Sequence, residues 1–100
     1  MKKFLLLVSL LFSAMTFAQS WVSKADSPEG KHHPISFALD GKGYSITGTN
    51  SAGQPTDDVF EYDPITDSWN VLPDFPGLAR SFGIGTTANG KAYFGFGATN

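Results

Sequence analysis

The chain contains no cysteine. Disulfides are therefore excluded, as are thiolate metal sites and the cysteine-borne lipid anchor of exported bacterial lipoproteins. Basic residues are scarce, with seven Lys and Arg against nine Asp and Glu and a formal net charge of −2. Two of the seven, Lys2 and Lys3, belong to an N-terminal leader. Without them five basic residues face nine acidic ones, a formal charge of −4. Such a surface offers no electrostatic footprint for nucleic acid or anionic lipid. A helical apolar period is also missing after residue 19. The best window, residues 72–82, contains Pro73, Pro76 and Gly77 and cannot hold a helix. Short apolar runs separated by Gly, Pro, Asn and Asp remain, and they specify an all-β fold.

The leader occupies residues 1–18. Lys2 and Lys3 precede an apolar run from Phe4 to Phe12 that only Ser9 interrupts. Thr16 and Ala18 then stand at the two positions a signal peptidase reads, which places cleavage before Gln19. The run is too short to cross a hydrocarbon core of about 30 Å. The expected product is exported to the periplasm, the cell surface or the medium, with no membrane insertion after cleavage.

What is present is organised around residues 59–69, Val-Phe-Glu-Tyr-Asp-Pro-Ile-Thr-Asp-Ser-Trp. Residues 59–62 are β-branched, aromatic and acidic, with Phe60 and Tyr62 on one face of a strand. Asp63-Pro64 supplies the turn. The carboxylate accepts from a backbone N–H two residues on, and the proline presets φ. Trp69 opens a further strand over residues 69–72.

An internal repeat surrounds this stretch. Trp21 recurs at Trp69 and Pro28 at Pro76, both 48 residues on. Past a loop the offset is 49. Lys31 then pairs with Arg80, Ile35 with Ile84, Asp40-Gly41-Lys42 with Asn89-Gly90-Lys91, Tyr44 with Tyr93 and Gly48 with Gly97. A one-residue shift inside a loop is what loop tolerance allows. Repeats near 48 residues fall in the range of four-stranded propeller blades. The strands expected in one unit are residues 33–39, 42–48, 58–63 and 69–72, forming an antiparallel meander. The first two recur at 82–88 and 91–97. Asp40-Gly41 and Asn89-Gly90 are pairs that favour a two-residue type I′ hairpin, whose central positions need positive φ. Glycines inside these strands, among them Gly83 and Gly85, suggest close approach of another backbone.

The chain here resembles a kelch repeat. That family has an aromatic-Asp-Pro-x-Thr-x-x-Trp segment, which Tyr62-Asp63-Pro64-Ile65-Thr66-Asp67-Ser68-Trp69 matches. The family's glycine doublet at the end of the second strand is Thr47-Gly48 and Phe96-Gly97 here, so its first glycine is missing twice. The resemblance implies a kelch-type β-propeller cut as follows: residues 19–30 the outer strand of a preceding or closing blade, 31–76 a complete repeat, and 77–100 the first half of the next. Kelch propellers resemble closed rings of about six or seven blades, and repeat folds generally need three or more units. The expectation is an N-terminal portion of a longer chain that supplies the remaining blades.

Candidate functional residues are few. Trp21, Trp69, Phe60, Tyr62, Tyr44 and Tyr93 read as blade-packing aromatics. His32 and His33 are adjacent, so an extended chain would aim them at opposite faces, where they could not chelate one ion. Asp57 and Asp58 with Asn50 lack the spacing of a calcium loop. No metal site and no cofactor is expected. Arg80 and Ser81, with His32, Asn50 and Asp57, fall where a propeller opens onto its channel. An arginine there can clamp a carboxylate, or pair with a neighbouring blade. The expected role is an exported binding or protein-interaction scaffold for a protein or glycan ligand. The alternative implied by the resemblance is an enzyme acting on carbohydrate, similar to the mutarotase of N-acetylneuraminic acid. A galactose-oxidase-like copper site would require a cysteine that the chain lacks.

Overall fold

The computed structural model describes residues 2–3 and 19–99. The leader reading therefore lies outside the described residues, apart from Lys2 and Lys3. Eight strands follow in chain order: β1 (Lys31–His32), β2 (Ile35–Leu39), β3 (Lys42–Ile46), β4 (Thr49–Asn50), β5 (Val59–Asp63), β6 (Ser68–Leu72), β7 (Ile84–Ala88) and β8 (Lys91–Gly95). Strands β2, β3, β5 and β6 form one antiparallel sheet in that order. This is the four-stranded meander expected from the sequence.

Its turns follow local chemistry. Asp40 and Gly41 take φ of 50° and 75° between β2 and β3, and Asn89 and Gly90 take 51° and 70° between β7 and β8. Both are the positive-φ pairs that a twisted hairpin requires. Between β5 and β6 the Asp63 carboxylate accepts the Ile65 N–H at 2.9 Å, and Asp67 closes the loop at φ 48°. The hairpin sets Tyr62 directly opposite Trp69, with their rings 5.1 Å apart.

Residues 49–57, expected to be loop throughout, instead begin with β4, which pairs with β1. The long first strand expected over residues 33–39 is broken. His33 sits at φ 54° and Pro34 has no N–H to give a ladder, so β1 ends at His32 and β2 starts at Ile35. Each repeat thus carries a short inner ribbon ahead of its main sheet. The second repeat copies it as the bridge between Ser81 and Ala98, the 49-residue counterparts of His32 and Thr49.

The backbone repeats more faithfully than the residues. Strands β7 and β8 reproduce the bounds of β2 and β3 shifted by 49. Five positive-φ positions recur at the same offset: His33 with Phe82, Asp40 with Asn89, Gly41 with Gly90, Thr47 with Phe96, and Gly48 with Gly97. The residue standing for the first glycine of each doublet therefore takes the same backbone conformation in both repeats. Thr47 and Phe96 adopt the left-handed conformation themselves, at φ 59° and 62°. That conformation costs a side-chain-bearing residue about 1–2 kcal/mol.

The core lies where β2 meets β7. Ile35, Ile46 and Phe60 are buried, and Phe37 stacks between Tyr44 and Phe94 at centroid distances of 5.2 and 5.7 Å. Gly83 and Gly85 do admit a close neighbour, but it is chiefly a side chain. A β-carbon on Gly83 would lie 2.5 Å from Cδ1 of Ile35, and one on Gly85 would lie 2.7 Å from its Cγ2.

Residues 19–30 form no strand, and Trp21, read from the repeat as a packing residue, is fully exposed. No sheet of the described residues lies beneath it. The segment is tied to the blade further on. The Ala25 N–H donates to the Asp67 carboxylate at 2.9 Å, and the Ala25 carbonyl accepts from Trp69 Nε1 at 2.9 Å. Trp69 itself is half-buried.

Candidate functional site

One end of the blade gathers residues 31–34, 47–58 and 80–82. Backbone bonds knit them together. The Thr47 N–H donates to Asp58 O, Gly48 to Arg80 O, Thr56 to Gly48 O, Arg80 to Thr56 O and Phe82 to His33 O, all between 2.8 and 3.1 Å. The start of the second repeat and the loop of the first, expected to lie side by side, are brought together by these bonds.

Beneath them sits a cation that sequence reasoning did not single out. The Lys31 side chain is almost wholly buried and pairs with Asp58. Its Nζ also donates to Thr47 O at 3.3 Å and Thr56 Oγ1 at 3.0 Å, and lies 4.4 Å from the centre of the Phe60 ring. Burial raises the Asp58 carboxyl, but hydrogen bonds led by that from Lys31 outweigh it, so its pKa falls below the ordinary value. The only sequence signal for this cluster was that a cation recurs 49 residues later, at Arg80.

Arg80 repeats the arrangement. Its Nη1 donates to Phe96 O at 3.2 Å, the counterpart of the Lys31 bond to Thr47 O. Its Nε donates to Leu78 O at 3.0 Å, and its guanidinium lies 5.0 Å from the Phe75 ring centre. Each cation thus holds the carbonyl of the left-handed residue that ends a second strand.

The other predicted residues divide by exposure. Ser81 is buried, with its backbone paired to Ala98 in both directions. The Asn50 carboxamide oxygen accepts from the N–H groups of Ala52 and Gln54 at 3.0 Å each, which shapes the loop. Asp57 is half-buried, and its carbonyl accepts from Phe75 N–H at 2.7 Å. Of the five candidates only His32 is exposed. The expectation that His32 and His33 face apart fails. At φ 54° His33 is not extended, and the two Nδ1 atoms lie 2.7 Å apart. Among the described residues no three His, Asp or Glu side chains converge as a metal site.

On the second repeat an open apolar groove of about 590 Å³ runs along β8, lined by Phe75, Pro76, Ile84, Tyr93, Phe94 and Phe96. On β3 the equivalent edge is covered by β5, in the register Tyr44 opposite Glu61 and Ser45 opposite Phe60. No strand of the described residues covers β8 there.

A four-stranded antiparallel meander whose first strand packs on the matching strand of a second, partial copy defines a β-propeller blade. Residues 38–76 match the family model of the Kelch motif, so the chain carries a kelch repeat. The solved structure of YjhT, a kelch-repeat propeller, is similar to it at 30% sequence identity and a TM-score of 0.69. That match covers 80% of this chain and 24% of YjhT. No curated protein matches the chain.

Proposed function

We propose that this chain contributes one blade and part of the next to an exported kelch propeller that binds a ligand without transforming it. The observation that carries the reading is the use of charge at the gathered loops. Lys31 and Asp58 are spent on each other, and Arg80 on backbone carbonyls. No nucleophile–base pair converges there among these residues. Above that base, Ser51, Ala52, Gly53 and Gln54 are exposed on a loop whose backbone Asn50 fixes. A pre-shaped polar loop on a rigid sheet suits recognition of a protein or glycan surface.

The test uses the whole propeller with N-acetylneuraminate as probe, following anomer exchange by proton NMR. The scaffold reading expects exchange at the rate of buffer alone. Acceleration that scales with protein concentration would replace it with a carbohydrate-converting enzyme.

A further inference from the structure

We propose that His32 and His33 form a chelating site for a divalent cation of tetragonal preference, Cu(II) or Ni(II). Adjacent residues of a strand cannot share an ion because their side chains diverge. Here the fold removes that obstacle. His33 is left-handed, its carbonyl is held by the Phe82 N–H at 3.1 Å, and its ring stacks on Phe82 at 4.0 Å between centroids. The result is a pair of exposed imidazoles with Nδ1 atoms 2.7 Å apart.

That separation selects a geometry. With metal–nitrogen bonds of about 2.0 Å, cis ligands of a square-planar or tetragonal ion lie about 2.8 Å apart, and those of a tetrahedral ion about 3.3 Å. The observed pair fits the first. Water fills the remaining coordination positions on the solvent side. In the metal-free pair one Nδ1 carries the proton that the other accepts. On binding, that ring takes its proton on Nε2 instead, so both Nδ1 lone pairs face the metal and two neutral imidazoles remain.

The fold does not itself need these imidazoles. The same backbone 49 residues on is built with Ser81 and Phe82, the latter at φ 61°. The second repeat thereby supplies substitutions that preserve the local structure, His32→Ser and His33→Phe.

The experiment titrates Cu(II) into the whole propeller without a polyhistidine tag at neutral pH, comparing the parent with H32S and H33F. Circular dichroism confirms that the variants are folded. The expected result is one tight site per chain that weakens at least tenfold in each variant, with an electron paramagnetic resonance spectrum showing two imidazole nitrogens in the parent. Absence of binding overturns the proposal. Binding unchanged in both variants, or sensitive to only one histidine, overturns it equally by placing the ion elsewhere or on a single ring.

Discussion

The Cδ1 atom of Ile35 lies 2.5 Å from where Gly83 would carry a β-carbon. One repeat therefore inserts a branched side chain into a gap that the next leaves open. The same side chain reaches Gly85, so two glycines serve one isoleucine. Ile35 is also the most deeply buried apolar residue among the described residues, at 1% exposure. The contact between blades and the centre of the core are the same place.

Gly83→Ala should consequently destabilise the folded protein by about 1–3 kcal/mol, the range for overpacking a filled site. Gly95 O, 2.9 Å from the added carbon, is backbone and cannot step aside. Ile35→Val in the same background should recover part of the loss, giving a non-additive double-mutant cycle. Denaturant midpoints of the four proteins measure this. Strict additivity would mean that the two residues do not meet.

Lys31 and Asp58 set the acid response of the loops. The Asp58 carboxyl is held below its ordinary value, so its stabilisation is complete above the unfolded carboxylate pKa of about 3.9 and is lost as pH falls through the lowered folded value. Asp58→Asn should flatten that acid limb of the stability–pH curve. Lys31→Met should destabilise at neutral pH by about 1–3 kcal/mol, because it leaves a part-buried carboxylate unpaired. Equilibrium unfolding between pH 2 and 7 checks both.

Much of this architecture was legible in the sequence, and the reason is local. Asp40-Gly41, Asn89-Gly90 and Asp63-Pro64 each fix a turn through their own backbone preferences, and the strands between them follow. The recurrence of Tyr44 at Tyr93 and Gly48 at Gly97 then exposed the repeat. The rest depended on distance. Lys31 meets Asp58 across 27 residues, and neither carries a mark of the other. The left-handed turn at His33 had no glycine to announce it, so the inner ribbon of β1 and β4 and the convergence of the two histidines were both missed. Arg80 and Asn50 lie at the gathered loops, but a residue's place in a repeat does not disclose which carbonyl or amide its side chain holds.

Phe96 offers the cleanest check on the altered glycine doublet. It is left-handed at φ 62° and, within this chain alone, 78% exposed, so little of the packing inside the chain is lost when its side chain is removed. Phe96→Gly should raise stability by roughly 0.5–1 kcal/mol, the relief of the left-handed conformation less the added chain entropy of glycine. Thermal midpoints of variant and parent decide it. A lower midpoint for the variant would show that the ring contributes packing that outweighs the strain.

Trp69→Phe separates the two tasks of that residue. The ring pairing with Tyr62 is retained, while the Nε1 bond to Ala25 O is lost, at about 0.5–1.5 kcal/mol. Hydrogen exchange at the Ala25 amide, which donates to Asp67, should accelerate with the loss of the neighbouring anchor. Unchanged exchange would show that Asp67 alone holds the segment.

Underlying all of these is the claim that a blade hides its apolar faces only against other blades. Its most direct measurement is thermal unfolding of residues 19–100 at two widely separated protein concentrations. The account predicts a broad or concentration-dependent transition, since β8 and the groove beside it stay uncovered in an isolated monomer. A sharp transition of a monomer, identical at both concentrations, would contradict it.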